Sequence, residues 1–118
     1  MNGACHSHIL LVGDAASTSA ALRAFQPIHR SPCVIWECGN SPLVLPPSET
    51  VGTLILHDVA ALSLNEQQLL SDWLARETGN TNVISTSAVP LFPLITRGGF
   101  LATLYYRLNV LYVDLSLL

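Results

Sequence analysis

The stretch Gly52-Thr53-Leu54-Ile55-Leu56-His57-Asp58-Val59, followed by Ser63-Leu64-Asn65-Glu66 and the run on to Arg76, decides the fold. Thr53 to Leu56 is apolar without alternation, the pattern of a strand covered on both faces. Ser63 with Glu66 three residues on is a capping-box signature, in which each side chain takes a backbone N–H of the other at a helix start. Leu69, Leu70, Trp73 and Leu74 then recur at helical spacing, and Gly79 follows as a stop. A doubly covered strand that leads into an amphipathic helix is the repeating unit of a parallel α/β sheet.

The same alternation extends in both directions. His8-Ile9-Leu10-Leu11-Val12 is a short apolar run closed by Gly13, and Thr18 to Phe25 has the Ala and Leu content of a helix that stops before Pro27. Cys33 to Glu37 reads as a second strand, and Ser41 to Thr50, with three prolines, reads as a loop. Downstream, Asn82 to Thr86 reads as a fourth strand, Phe100 to Leu108 as a short helix and Val110 to Leu115 as a fifth strand. The expectation is a five-stranded parallel sheet with helices on both faces.

Composition narrows the class. The length of 118 residues predicts a single domain spanning 1–118. Half of the residues are hydrophobic and 11% are charged, well below the quarter usual for a soluble domain, so the chain is core-rich. No apolar run reaches the roughly 18 to 20 residues that span a bilayer. The first eight residues lack a basic segment, so the expected location is the cytoplasm. Cys5, Cys33 and Cys38 include no C-x-x-C and read as reduced packing residues. The net charge is −3, and the five basic residues Arg23, Arg30, Arg76, Arg97 and Arg107 are scattered, which argues against direct nucleic-acid binding. The cluster Cys5-His6-Ser7-His8 has soft-metal ligand types but no second pair to complete a site, so no metal is expected.

The segment Gly99-Phe100-Leu101-Ala102-Thr103-Leu104-Tyr105-Tyr106-Arg107-Leu108-Asn109-Val110 resembles the signature G-x-F-R-x-D-L-Y-Y-R-L-N-V of the sigma-54 activators, the enhancer-binding AAA+ ATPases of bacterial transcription. Gly52 to Val59 is similar to the family's Walker B stretch G-T-L-F-L-D-E-V, and Ile9 to Asp14 resembles the strand and first turn of Walker A. The resemblance implies a P-loop NTPase-like AAA+ core; the chain reaches Leu118 before the family's helical lid.

The same alignment shows what has changed. A phosphate-binding loop needs glycines, so that its N–H groups can close around phosphate, and a lysine. Here the loop reads Gly13-Asp14-Ala15-Ala16-Ser17-Thr18-Ser19-Ala20, with Ala16 and Thr18 at the inner glycines, Ser19 at the lysine, and no lysine anywhere in the chain. Gly13, Asp14, Ser17, Thr18 and Ser19 are therefore expected to form at most a generic anion site, weak for ATP. At Walker B, His57 stands at the Mg²⁺-supporting Asp and Asp58 at the catalytic Glu. Sliding the alignment by one makes Asp58 the metal ligand and puts Val59 at the base. The sensor pair reads Ser87-Ala88, Leu101 replaces the first finger arginine, and Arg107 is retained. Gly39 to Val51 holds no sigma-contacting G-A-F-T-G-A loop.

The function expected on these grounds is a non-catalytic module of a transcription regulator, needing no cofactor and acting through protein contacts. Sigma-54, a regulator domain or a second copy are the partner classes. A divergent sigma-54-dependent ATPase is the alternative, and a generic anion-binding module the third reading. The apolar residues Val113, Leu115, Leu117 and Leu118 are expected to be exposed and to drive self-association.

Overall fold

The computed structural model describes residues 8–25, 31–47, 50–76, 81–109 and 111–115. The elements run β1 (His8–Val12), α1 (Ala15–Phe25), β2 (Cys33–Glu37), β3 (Thr53–His57), a 3-10 turn (Val59–Ala61), α2 (Leu64–Arg76), β4 (Asn82–Ser87), α3 (Phe92–Thr96), α4 (Ala102–Leu108) and β5 (Leu111–Asp114). The five strands form one sheet in the order β2-β3-β4-β1-β5. Every neighbouring pair is parallel. The expected stop residues Pro27 and Gly79, the Cys5 to Ser7 part of the terminal cluster, and Val110, Leu117 and Leu118 lie outside the described residues.

Successive side chains of a strand point to opposite faces, so each buried strand contributes to two cores. One core joins Leu10, Leu54, Leu56 and Val83 to Leu70, Trp73 and Leu74 of α2 and Leu104 and Leu108 of α4. The other sets Leu22 of α1 over Leu11, Ile55 and Ile84, with Val113 and Leu115 packed at its side. Val113 and Leu115 are thus half-buried against α1 and not the exposed tail that composition alone implied. Strand β2 lies at the edge. Its Val34 and Trp36 reach the first core, while Cys33 is exposed and Ile35 is 58% exposed on the α1 face. Cys33 is therefore not a packing residue; Cys38, just past the strand, is buried as one.

The capping box at α2 is formed as written: Ser63 N–H donates to Glu66 Oε1 at 3.0 Å, and Glu66 N–H donates to Ser63 Oγ at 3.2 Å. Glu66 Oε2 also accepts from Leu43 N–H at 2.8 Å, which ties the proline-rich loop to the helix. The carboxyl is held below its ordinary range, first by the Ser63 N–H and then by that of Leu43. The buried stripe of α2 is Gln67, Leu70, Ser71, Trp73 and Leu74, whereas Leu69 is exposed. Helical spacing locates the stripe, but its phase is set by what faces it.

Helix α3 has no counterpart in the sequence reading. It is a single turn, too short for a periodic pattern. Pro93 lies in its first turn, where a missing N–H costs nothing. Gly98 closes it at φ 81°, a conformation only glycine adopts freely. Helix α4 starts at Ala102, not Phe100, because Leu101 is extended (φ −75°, ψ 127°) and serves as the N-cap. Phe100 instead plugs the core at 2% exposure.

Gln67 joins these parts. Fully buried, it donates from Nε2 to the carbonyls of Leu62 (3.0 Å) and Gly99 (3.1 Å) and accepts at Oε1 from Leu101 N–H (2.8 Å). Gln67→Leu keeps the bulk but leaves three backbone groups without their partner. Loss of about 2–4 kcal/mol of stability is expected in urea denaturation. Gln68→Leu, on the exposed side, serves as the control and should shift stability by less than about 0.5 kcal/mol. Equal effects would remove Gln67 as the joint.

Candidate functional site

Ligands of parallel sheets gather at the carboxyl ends of the strands. In this sheet β4 lies between β3 and β1, so the ends of those two strands flank the end of β4. Gly13 N–H donates to the Ser87 carbonyl at 3.0 Å, and Asp58 N–H donates to Thr86 Oγ1 at 3.0 Å. Gly13 and Asp58 therefore border one crevice, as the sequence implied. Thr86, which seats Asp58, carried no signal in the sequence.

On the β1 side the turn is short. Val12 ends the strand and Ala15 begins α1, three residues earlier than the Ala and Leu content indicated. The reason is Asp14. Its Oδ1 accepts the Ser17 N–H at 2.7 Å, and its carbonyl accepts the Thr18 N–H at 2.9 Å, so it serves as the N-cap. The Asp14 carboxyl is held below its ordinary range, chiefly by the Ser17 N–H. A Cβ at Gly13 would stand 3.0 Å from Leu115 Cβ, a tight contact from which the Leu115 side chain would have to yield by a few tenths of an ångström, so glycine lets the turn lie close against the end of β5.

The five residues expected at the anion site do not converge. Gly13, Asp14 and Ser17 share the first turn. Thr18 is buried, and its hydroxyl bonds back to the carbonyls of Asp14 (3.1 Å) and Ala15 (3.2 Å). Ser19 lines a different groove, beside His57 and below α1.

On the β3 side, His57 is half-buried with Nε2 3.8 Å from Glu37 Oε2, an ion pair only when the imidazole is protonated. Asp58 is exposed at φ 63° and ψ 61°, a left-handed conformation that aspartate tolerates better than most residues. Val59 is fully buried, so the register that makes it the catalytic base has no access to the crevice. Ser87, at the sensor position, is buried with its hydroxyl engaged by Val89 of its own turn, accepting from the Val89 N–H at 3.2 Å.

Arg107 is exposed on α4 and makes no ion pair among the described residues. Beside it Tyr105 is half-buried, edge-on to Phe92 (6.4 Å) and Tyr106 (5.3 Å), and Tyr106 is 66% exposed. No group of three His, Cys, Asp or Glu among the described residues is placed to hold a metal. Of the terminal cluster only His8 is described, with its Nδ1 accepting from Val83 N–H at 3.3 Å. No described helix is long and apolar enough to cross a membrane.

The parallel sheet in the order 2-3-4-1-5, with helices on both faces, is the fold of an AAA+ type core. The chain matches the sigma-54 interaction domain over residues 7–118 and belongs to that family. It is 38% identical over 78 residues to the HTH-type transcriptional regulatory protein TyrR of Haemophilus influenzae, covering 57% of this chain and 24% of TyrR. Among solved structures it is similar in fold to NtrX of Brucella abortus with ADP (TM-score 0.73, 21% identity, 92% of this chain and 32% of NtrX). NtrX with ATP gives TM-score 0.72 at 20% identity, again over 92% of this chain and 33% of NtrX. The chain thus spans about a quarter to a third of these relatives.

The Asp14 cap has a titration signature. A carboxylate whose folded pKa lies below its unfolded value of 3.8 stabilises the fold above that value and loses the contribution as pH falls through the folded pKa. An asparagine side chain in its place keeps the cap but does not titrate. The urea midpoint of the native chain should therefore exceed that of Asp14→Asn at pH 7, and the gap should close below about pH 4. A gap independent of pH would contradict the carboxylate's role.

Proposed function

We propose that this chain is a sigma-54-activator-type AAA+ core, one domain over 1–118, that works in the cytoplasm through protein contacts and without ATP turnover. The observation that carries the reading is the Asp14 carboxylate on the first turn of α1. A phosphate-binding loop presents free N–H groups and a lysine to an anion. This chain presents a two-residue turn followed by a first helical turn in which the Ser17 N–H is already taken by an internal anion, Asp14. A triphosphate brought there meets like charge, and no lysine offsets it. These residues do not fit the nucleotide of the family.

The alternative, a divergent ATPase, draws on Asp58 and Arg107. Asp58 is exposed at the crevice, and Arg107 is a finger without an intrachain partner among the described residues. Against it, His57 is a poor ligand for a hard cation, and several lost sources of transition-state charge are not replaced by one arginine.

Phosphate release from Mg-ATP should stay at background for the native chain and for Ser19→Lys, whose new amine would sit beside His57 in the groove under α1. Turnover that Asp58→Ala abolishes would establish the alternative.

Protein contact is supported by exposed apolar side chains on α3, α4 and β5. Phe92, Tyr106, Leu111 and Tyr112 are 58%, 66%, 52% and 37% exposed. Large exposed apolar patches mark interaction sites, and a second copy, sigma-54 or a regulator domain would bury them. In light scattering across a wide dilution range the native chain should self-associate, and Phe92→Asp with Tyr106→Asp should shift it to monomer. A native chain that stays monomeric throughout would remove self-association from the proposal.

A further inference from the structure

A groove lies on the α1 face of the sheet and shares His57 with the carboxyl edge. Parallel sheets are ordinarily covered on both faces. Among the described residues this face has only α1, which covers Leu11, Ile55 and Ile84 and stops short of β2. What remains is a groove of about 430 Å³ between α1 and the β2–β3 surface, within the size range of small-molecule sites. Its walls are apolar at Leu22, Ile35 and Ile55, and its rim carries Arg23, Cys33 and His57.

Charge distinguishes this groove from a merely uncovered strand. The chain as a whole is acidic, yet none of the described residues that line the groove is Asp or Glu, and Arg23 is among them. Glu37, at the end of β2, is turned to His57. Arg23 has no ion-pair partner among the described residues. A guanidinium beside an apolar trough is complementary to a carboxylate carried on a small apolar body, since the planar fork donates to both carboxylate oxygens while the body removes Ile35 from water.

We infer that the groove under α1 is a binding site for a small apolar carboxylic acid, held by Arg23 at its head and by Leu22, Ile35 and Ile55 along its body. The site is independent of nucleotide chemistry, and its occupancy would stabilise the edge strand β2 and the packing of α1. It offers a module without turnover a route to respond to a metabolite of that chemical class.

Cys33 is a built-in reporter, because its thiol lines the groove. Cys38 is buried with its thiol pushed up to about 12, mainly by that burial, so it reports folding by staying unreactive. The experiment follows alkylation of each cysteine of the full chain by N-ethylmaleimide at pH 8, resolved by peptide mass spectrometry. The probes are 4-phenylbutyrate, 4-phenylbutan-1-ol and inorganic phosphate. Phenylbutyrate should slow Cys33 saturably and leave Cys5 unchanged. The alcohol and phosphate should protect at least about fivefold more weakly, and Arg23→Gln should raise the apparent Kd for phenylbutyrate by a similar factor. Absence of protection at millimolar phenylbutyrate would overturn the site. So would equal protection by the alcohol or by phosphate, or protection unchanged in an Arg23→Gln chain whose Cys38 remains unreactive.

Discussion

A helix that begins at a strand end exposes N–H groups that must find an acceptor, and in this chain Asp14 supplies it. That hydrogen bond sets where α1 starts and leaves only Gly13 and Asp14 to turn the chain. So tight a turn brings Gly13 against Leu115, where a Cβ would crowd the leucine side chain. Leu115 and Val113 in turn close the side of the α1 core. The Asp14 cap, the Gly13 turn and the packing of Val113 and Leu115 thus meet at one end of the sheet.

The fold rests on interactions that are largely indifferent to side-chain chemistry at the strand ends. The sheet is maintained by backbone pairing and by leucine, isoleucine and valine side chains buried on both faces. Gly13 and Asp58 keep their places beside β4 through their own N–H groups, which any residue but proline supplies. Gln67 holds the start of α4 to α2 by bonds to backbone alone. Leu101 itself belongs to that framework, capping α4 and packing on the α2 core.

The strands and α2 were legible because a parallel sheet writes its burial as short, unbroken apolar runs, and because Ser63 and Glu66 mark a helix start with side-chain chemistry. The start of α1 was missed by weighing Ala and Leu content over the Asp14 to Ser17 cap. Helix α3 is one turn long and has no periodicity to read. The exposure of Cys33 and Ile35 follows from β2 lying at the sheet edge, and strand order is not written in any one strand. Gln67 was legible in principle, as a polar residue on the buried stripe of α2, but its partners lie more than thirty residues away at Gly99 and Leu101. The resemblance placed Gly13 and Asp58 on one crevice correctly. It could not show that Ser19, aligned with the lysine, faces another groove.

The central claim is that the first turn of α1 is closed to phosphate by its own carboxylate. Amide chemical shifts read that turn residue by residue, so the decisive measurement is a titration of the isotopically labelled chain with Mg-ATP followed by two-dimensional nitrogen–proton spectra. Closure requires the Gly13, Asp14, Ser17 and Thr18 resonances to stay in place through millimolar nucleotide. Saturable movement of Ser17 and Thr18 together with Asp58 would mean that the turn opens for phosphate, and would contradict it.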